Sequence, residues 1–157
     1  MLGRLEPSHR IRVADLLART PEFTPEEVRV ALELVDEALE GSDDYRFVVA
    51  EIADRVEGYA CFGPIPMTKG SYDLYWIVVD RNMRRSGVGR ALMTEVKRQV
   101  AGAGGRMIRL ETANLPSYTP TLAFYERCGF ERAGTIRGFY WPGNDLVTFV
   151  KYLGERG

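Results

Sequence analysis
One histidine, His9, and two cysteines, Cys61 and Cys128, are the only imidazole and thiol groups in a chain of 157 residues. So few and so far apart, they make neither a zinc-ligand set nor a disulfide framework; no metal is expected, and free thiols suit a reducing compartment. No apolar run is long enough to cross a bilayer. The opening MLGRLEPSHR carries charge where a secretory leader needs an apolar centre, so no membrane association is expected and the cytoplasm is the expected location. Excess charge is missing too. A formal net charge of −1 gives no global basic field to hold nucleic acid, which is not an expected partner. Repeats and low-complexity segments are absent. What remains is ordinary composition, 45% hydrophobic and 27% charged, which predicts one globular domain over residues 1–157 with a substantial core.

Along the chain, Met1 to Leu5 reads as a short edge strand and Ser8 to Arg19 as a helix. Thr24, Pro25 and Glu27 form a capping box with proline at the first helical position, and Gly41 is placed as a stop. Between them Val28, Ala31, Leu32, Val35, Ala38 and Leu39 keep helical spacing, while Glu33, Asp36, Glu37 and Glu40 form a solvated face. The period then changes. Tyr45 to Ala53 and Val56 to Phe62 read as a hairpin turning at Asp54 and Arg55. A third strand ends at Ile77, Val78 and Val79, and a helix follows with Val88, Ala91, Leu92, Val96 and Val100 on one face. Arg106 to Thr112 is a strand, Asn114 to Pro120 a loop, and Thr121 to Cys128 a short helix. Strands over Glu131 to Tyr140 and Leu146 to Leu153 flank a turn at Pro142, Gly143, Asn144 and Asp145. The predicted fold is mixed α/β, a largely antiparallel central sheet flanked by helices with one parallel crossover.

That crossover carries the chemistry. A strand runs into Arg84, Arg85, Ser86, Gly87, Val88, Gly89 and Arg90, and a helix begins. The first N–H groups of a helix lack intrahelical acceptors and lie at the positive end of its dipole, so an anion is held there by backbone. Gly87 and Gly89 permit close approach and unusual backbone angles, and the arginines add full charges. The Gly-Lys-Ser/Thr ending of a P-loop is absent, and Leu92 stands where a dinucleotide fingerprint needs glycine or alanine.

The remaining pattern, Arg84-x-x-Gly87-x-Gly89, resembles the acyl-CoA pyrophosphate loop of the GNAT N-acetyltransferases. A second segment, Ala123-Phe124-Tyr125-Glu126-Arg127-Cys128-Gly129-Phe130, resembles that family's F-Y-x-x-x-G-F segment, in the family's order and spacing. The resemblance covers about Tyr45 to Leu153. It implies an enzyme that transfers an acetyl group from acetyl-CoA to a primary amine by direct attack, with the cofactor's arm along Ile77, Val78 and Val79 and its diphosphate on Arg85 to Arg90. Tyr118, Thr121 and Phe124 are further cofactor candidates.

Acetyl transfer to an amine needs a deprotonated nucleophile, a polarised carbonyl and an acid for the leaving thiolate. The resemblance gives Tyr125 the acid's role and places backbone N–H near Val79 or Ile77 at the carbonyl. For the base, Glu111 and Asp73 are both candidates, and a proton relayed to solvent by neither is the third reading. If their strand is regular, Asp73, Tyr75, Ile77 and Val79 share one face. Tyr72, Tyr75, Tyr140 and Trp141 are acceptor-pocket candidates; Trp76 reads equally well as core. Cys128 has no histidine to activate it and reads as a small buried residue. The acceptor is a small-molecule or protein amine and a homodimer is left open. Two other functions fit the same motifs, a module that senses acyl-CoA without transfer and a transferase for a longer acyl group.

Overall fold
The computed structural model describes residues 1–154. The chain opens on β1 (Leu2–Gly3), then α1 (His9–Ala18) and α2 (Pro25–Leu39). Thr24 caps α2 as its sequence demands: its hydroxyl accepts the Glu27 N–H at 3.2 Å, and Glu26 and Glu27 put acid in the first turn. Strands β2 (Arg46–Ile52) and β3 (Arg55–Pro64) follow. Their two-residue turn lies at Ala53 and Asp54, one position earlier than predicted, because both take positive φ (49° and 62°), the handedness that matches strand twist.

Next come β4 (Ser71–Val79), a 3-10 turn at Arg81–Met83, and α3 (Val88–Gly102). Then β5 (Met107–Ala113) leads through a second 3-10 turn at Pro116–Tyr118 into α4 (Thr119–Arg127). That helix starts two residues before the predicted Thr121. Pro120 is the reason, since a missing N–H costs nothing in a first helical turn and the ring's φ suits it. The hairpin of β6 (Glu131–Trp141) and β7 (Asn144–Tyr152) closes the fold.

All the strands join one sheet in the order β1-β2-β3-β4-β5-β7-β6, and β4–β5 is its parallel pair. Helices α1 and α2 cover one face, where Val13, Leu16, Leu17, Ala31 and Val35 pack on Val49, Tyr59, Cys61 and Val78. Helices α3 and α4 cover the other, with Leu92, Met93, Val96, Val100 and Leu122 against Val48, Phe62, Leu74, Ile108 and Phe149. Leu16 and Leu92 are fully buried, so truncating either to alanine costs about 2–5 kcal/mol. No described helix is long and apolar enough to cross a membrane.

Strand β4 is irregular on both edges. Its parallel ladder to β5 is short, pairing Ser71 with Met107, Tyr72 with Ile108 and Asp73 with Arg109. Beyond Asp73 the strands part, while β5 stays bonded to β7 as far as Ala113. On its other edge β4 carries a bulge, because Cys61 pairs with Trp76 and Phe62 with Leu74, leaving Tyr75 unmatched. The bulge shifts the alternation by one. Tyr72, Leu74, Ile77 and Val79 therefore pack on the α3–α4 side, and Trp76 and Val78 on the α1–α2 side. The predicted common face of Asp73, Tyr75, Ile77 and Val79 does not exist, since it required a regular strand.

Candidate functional site
The turn after β4 is built by one buried carboxylate. Asp80 accepts the Asn82 N–H at 2.9 Å, which closes the 3-10 turn, and accepts Arg19 Nε at 3.1 Å from the end of α1. The chain then passes through Arg85 at φ 64° to Gly87, which caps α3 at φ 92°. Both are left-handed conformations; glycine holds one without penalty, arginine does not. Ser86 is occupied within the turn, its hydroxyl donating to the Met83 carbonyl. Arg84 forms an ion pair with Glu22 at 2.9 Å. Partial burial opposes ionisation of Glu22, but its own N–H, Arg84 and Arg81 outweigh it and hold its carboxyl below the ordinary value. Arg85 and Arg90 make no ion pair among the described residues, so two free guanidinium groups flank the first turn of α3.

Gly87 and Gly89 differ in what they do. A Cβ at Gly87 would meet nothing within 4 Å, so the requirement there is the backbone angle. A Cβ at Gly89 would stand 3.3 Å from the Phe124 ring and 3.5 Å from Val79, so that glycine lets α4 approach α3 and the end of β4. Beyond Asp73, the edge of β4 facing β5 has no strand partner among the described residues. An open strand edge leading to a glycine-capped helix N-terminus with two free arginines fits a ligand having an amide-bearing arm and a diphosphate.

At the crotch where β4 and β5 part lies a cavity of about 240 Å³, lined by Asp73, Leu74, Tyr75, Arg109, Leu110, Glu111 and Tyr140. Arg109 grips Asp73 with both arms, Nε to Oδ1 at 2.8 Å and Nη2 to Oδ2 at 2.9 Å. That leaves Glu111 as the lining carboxylate with no hydrogen bond or ion pair among the described residues; its field acts on Arg109 and Tyr140. Tyr140 reaches the cavity because the β6–β7 register breaks between Ile136 and Trp141, at Gly138 (φ 63°), whose N–H donates to Asp145 at 2.9 Å. Burial, then the charge of Glu111, raises the Tyr140 phenol above its ordinary value. Tyr75, freed by the bulge, packs edge-on against Tyr45 at 5.4 Å.

A family model described as an acetyltransferase (GNAT) domain matches residues 43–132. The chain belongs to the GNAT acetyltransferase family. A solved GNAT-family structure from Desulfovibrio desulfuricans is 42% identical, with a TM-score of 0.93 over 97% of this chain and 98% of that one. An aminoglycoside 6'-N-acetyltransferase solved with coenzyme A shares the fold, at 20% identity and TM-score 0.82 over 100% of this chain and 99% of that one. In sequence, the chain is 34% identical over 105 residues to an uncharacterised protein of Mycobacterium leprae, covering 66% of this chain and 28% of that protein. It thus spans less than a third of that relative's length. It is also 27% identical over 135 residues to phosphinothricin N-acetyltransferase of Streptomyces viridochromogenes, covering 83% and 68% of the two chains.

In this GNAT chain the residues singled out from sequence fall into three groups. Ile77 and Val79 lie along the open stretch of β4, Val88, Gly89 and Arg90 form the first turn of α3, and Phe124 packs beside them. Val78 points away, buried at 3% under α1 and α2. Tyr118 and Thr121 begin the α4 region; burial and the fields of Glu27 and Glu22 raise the Tyr118 phenol. Asp73, Glu111, Tyr75 and Tyr140 come together at the cavity.

The third group lies outside both, and in it Cys128 is buried as predicted and Trp76 takes the core reading. Tyr72, predicted in the acceptor pocket, is 6% exposed within the α3–α4 core with Arg46 over its ring at 5.7 Å, because the residue lies in the regular, paired part of β4. Trp141 lies outside the cavity lining, 55% exposed at the end of β6, against Tyr140. Trp76 is core, packed on Phe23 at 6.4 Å. Tyr125 is buried among Phe124, Phe130 and Phe149, with centroids at 5.6, 6.1 and 5.8 Å, and burial keeps its phenol firmly protonated. Cys128 is buried at the end of α4, where burial raises its thiol against the lowering fields of Lys97, Arg90 and Arg127. Two residues of the site escape a reading of the sequence. Arg109 has a signal, an arginine in a parallel strand facing an aspartate, which only the register can connect; Glu22 has none, lying in the turn between α1 and α2.

Proposed function
We propose that this chain is an acetyl-CoA-dependent N-acetyltransferase that acts as a single domain on a primary amine, with Glu111 as the base. The observation that carries the reading is the course of β4. One open edge runs from a cavity holding an unpaired carboxylate to a helix N-terminus with free arginines.

Bound acetyl-CoA supplies the acetyl group as an activated thioester. The chain's own groups do the rest. Backbone N–H along Ile77 to Val79 and the first turn of α3, with Arg85 and Arg90, hold the cofactor. Glu111 takes the amine's proton, directly or through one water, since a free carboxylate at the cavity wall is what deprotonation there requires. Asp73 is the weaker candidate, because both its oxygens are spent on Arg109 and protonating it would break that pair. Tyr125 keeps its proton at neutral pH and is placed here as a hydrogen-bond donor to the departing thiolate, though the burial that protects its proton also makes the phenol a weaker acid.

The test is thiol release from acetyl-CoA across a panel of amines. Aminoglycosides, phosphinothricin and an alanine of ribosomal protein S18 are the acceptors named for similar proteins, and these with alanine-bearing peptides lead the panel. Turnover that falls at least a hundredfold in Glu111→Gln, with the fold intact, supports the reading. Binding of acetyl-CoA without release on any amine would make the chain a sensor, and faster release from a longer acyl-CoA would reassign the donor.

A further inference from the structure
The connection between α1 and α2 is anchored three times, and every anchor lands on β4 or the turn after it. Arg19 Nη2 lies 3.0 Å from Asp80, Glu22 lies 2.9 Å from Arg84, and Phe23 packs on Trp76. Between the second anchor and the helix stands Arg85 in a left-handed conformation, which persists only where its surroundings enforce it. Arg84 is the residue immediately before it. We propose that Glu22 is a positioning residue for the cofactor turn: it holds Arg84 as a strut between the α1–α2 connection and Gly87, and Arg84 is not itself a phosphate ligand. This rests on the reading that the turn receives the diphosphate of CoA.

The geometry separates the two roles for Arg84. A guanidinium committed to a carboxylate is neutralised and pointed at it, whereas Arg85 and Arg90 keep their charge free beside the helix N-terminus. Losing either end of a strut frees the same turn; losing a ligand removes a contact that Glu22 does not make.

CoA titration calorimetry on the full chain distinguishes these. Glu22→Gln and Arg84→Gln should each weaken CoA by a similar factor, about 3- to 10-fold, and the double variant should be no worse than the worse single, the non-additivity of one shared interaction. The exchanged pair Glu22→Arg with Arg84→Glu should recover most of the loss. Amide hydrogen exchange at residues 85–89 without CoA should quicken in both singles. If Arg84→Gln alone weakens CoA while Glu22→Gln leaves it unchanged or tightens it, Arg84 is a ligand and the strut is wrong. Unchanged exchange in both singles also overturns it. Should the parent chain not bind CoA at all, the functional reading fails, and the exchange experiment still decides the strut.

Discussion
Alanine at Gly87 and alanine at Gly89 should have different consequences, although the two positions look alike in the motif. At Gly87 the φ of 92° is the whole issue, since nothing lies within 4 Å of the new methyl group. A left-handed alanine costs about 1–2 kcal/mol, partly offset by about 0.4–1 kcal/mol from a less flexible unfolded chain. At about 2–4 °C per kcal/mol for a chain of this size, Gly87→Ala should lower the melting temperature by roughly 1–5 °C. Gly89 sits in the first turn of α3, where alanine improves helix propensity by up to about 1 kcal/mol. Against that, the methyl meets the half-buried Phe124 ring at 3.3 Å and pushes it by a few tenths of an ångström. The two effects are of similar size, so Gly89→Ala should melt within about 2 °C of the parent. Leucine at Gly89 has no such balance and should displace Phe124 outright. Thermal denaturation of the three variants, each with and without CoA, measures all of this. A Gly87→Ala variant that melts with the parent while Gly89→Ala falls by more than about 2 °C would refute the assignment of one glycine to backbone angle and the other to helix approach.

The two carboxylates of the cavity should separate in the same kind of measurement. Asp73→Asn removes the charge and one of the two oxygens that Arg109 grips and should destabilise by about 0.5–1.5 kcal/mol in chemical denaturation, whereas Glu111→Gln removes no ion pair and should cost under about 0.5 kcal/mol while abolishing most turnover. Tyr125→Phe should lower kcat at least tenfold with CoA affinity unchanged; equal loss of both would make the tyrosine a packing residue. Glu95, bonded to Arg98 and Gln99 on α3, has its carboxyl lowered to about 2. A folded value below the unfolded one means its contribution is present above about pH 4.5 and fades as pH falls toward about 2. The pair is at the surface, so the contribution is modest, about 0.3–0.5 kcal/mol. The stability gap between parent and Glu95→Gln should therefore narrow between about pH 6 and about pH 3 in urea titrations; a gap that widens would reverse the sign.

The elements are legible in the sequence because each has a local cause. Thr24 and Pro25 start α2, glycines end helices, and the change of period from helix to strand marks the hairpin. The geometry of the turn proposed for the cofactor is legible because its causes are local as well, a strand end, a glycine and a helix start within a short stretch. The acceptor side is not. In the sequence Asp73 reads as a free carboxylate because its partner lies in a neighbouring strand, and only the pairing of Asp73 with Arg109 reveals that its oxygens are occupied. Tyr72 reads as a pocket residue by its nearness to a strand end, whereas its burial depends on where the ladder stops. The bulge at Tyr75 reverses the face of every residue before it relative to those after, and no residue type announces a bulge.

That bulge and the Asp73–Arg109 pair explain together why the open edge of β4 and the cavity meet. A parallel pair of strands running on in register would present no free edge, and the arm of a cofactor would have nothing to bond. Here the ladder ends at a rung whose side chains are also locked by two charge-assisted bonds, so the strands are held together at that point and cannot part earlier. Two residues further on, the extra residue bends β4 and increases its twist, and the strand turns away from β5. The opening therefore has a fixed apex. On β5, Glu111 lies two residues past that apex, and on β4, Ile77 lies two residues past the bulge. On the function proposed above, an amine in the cavity and a carbonyl on the β4 edge would be brought to one place by the point at which pairing stops. Moving that point by one rung, for example by replacing Arg109 with a residue that cannot grip Asp73, should loosen the apex, and with it the acceptor's KM more than the affinity for CoA.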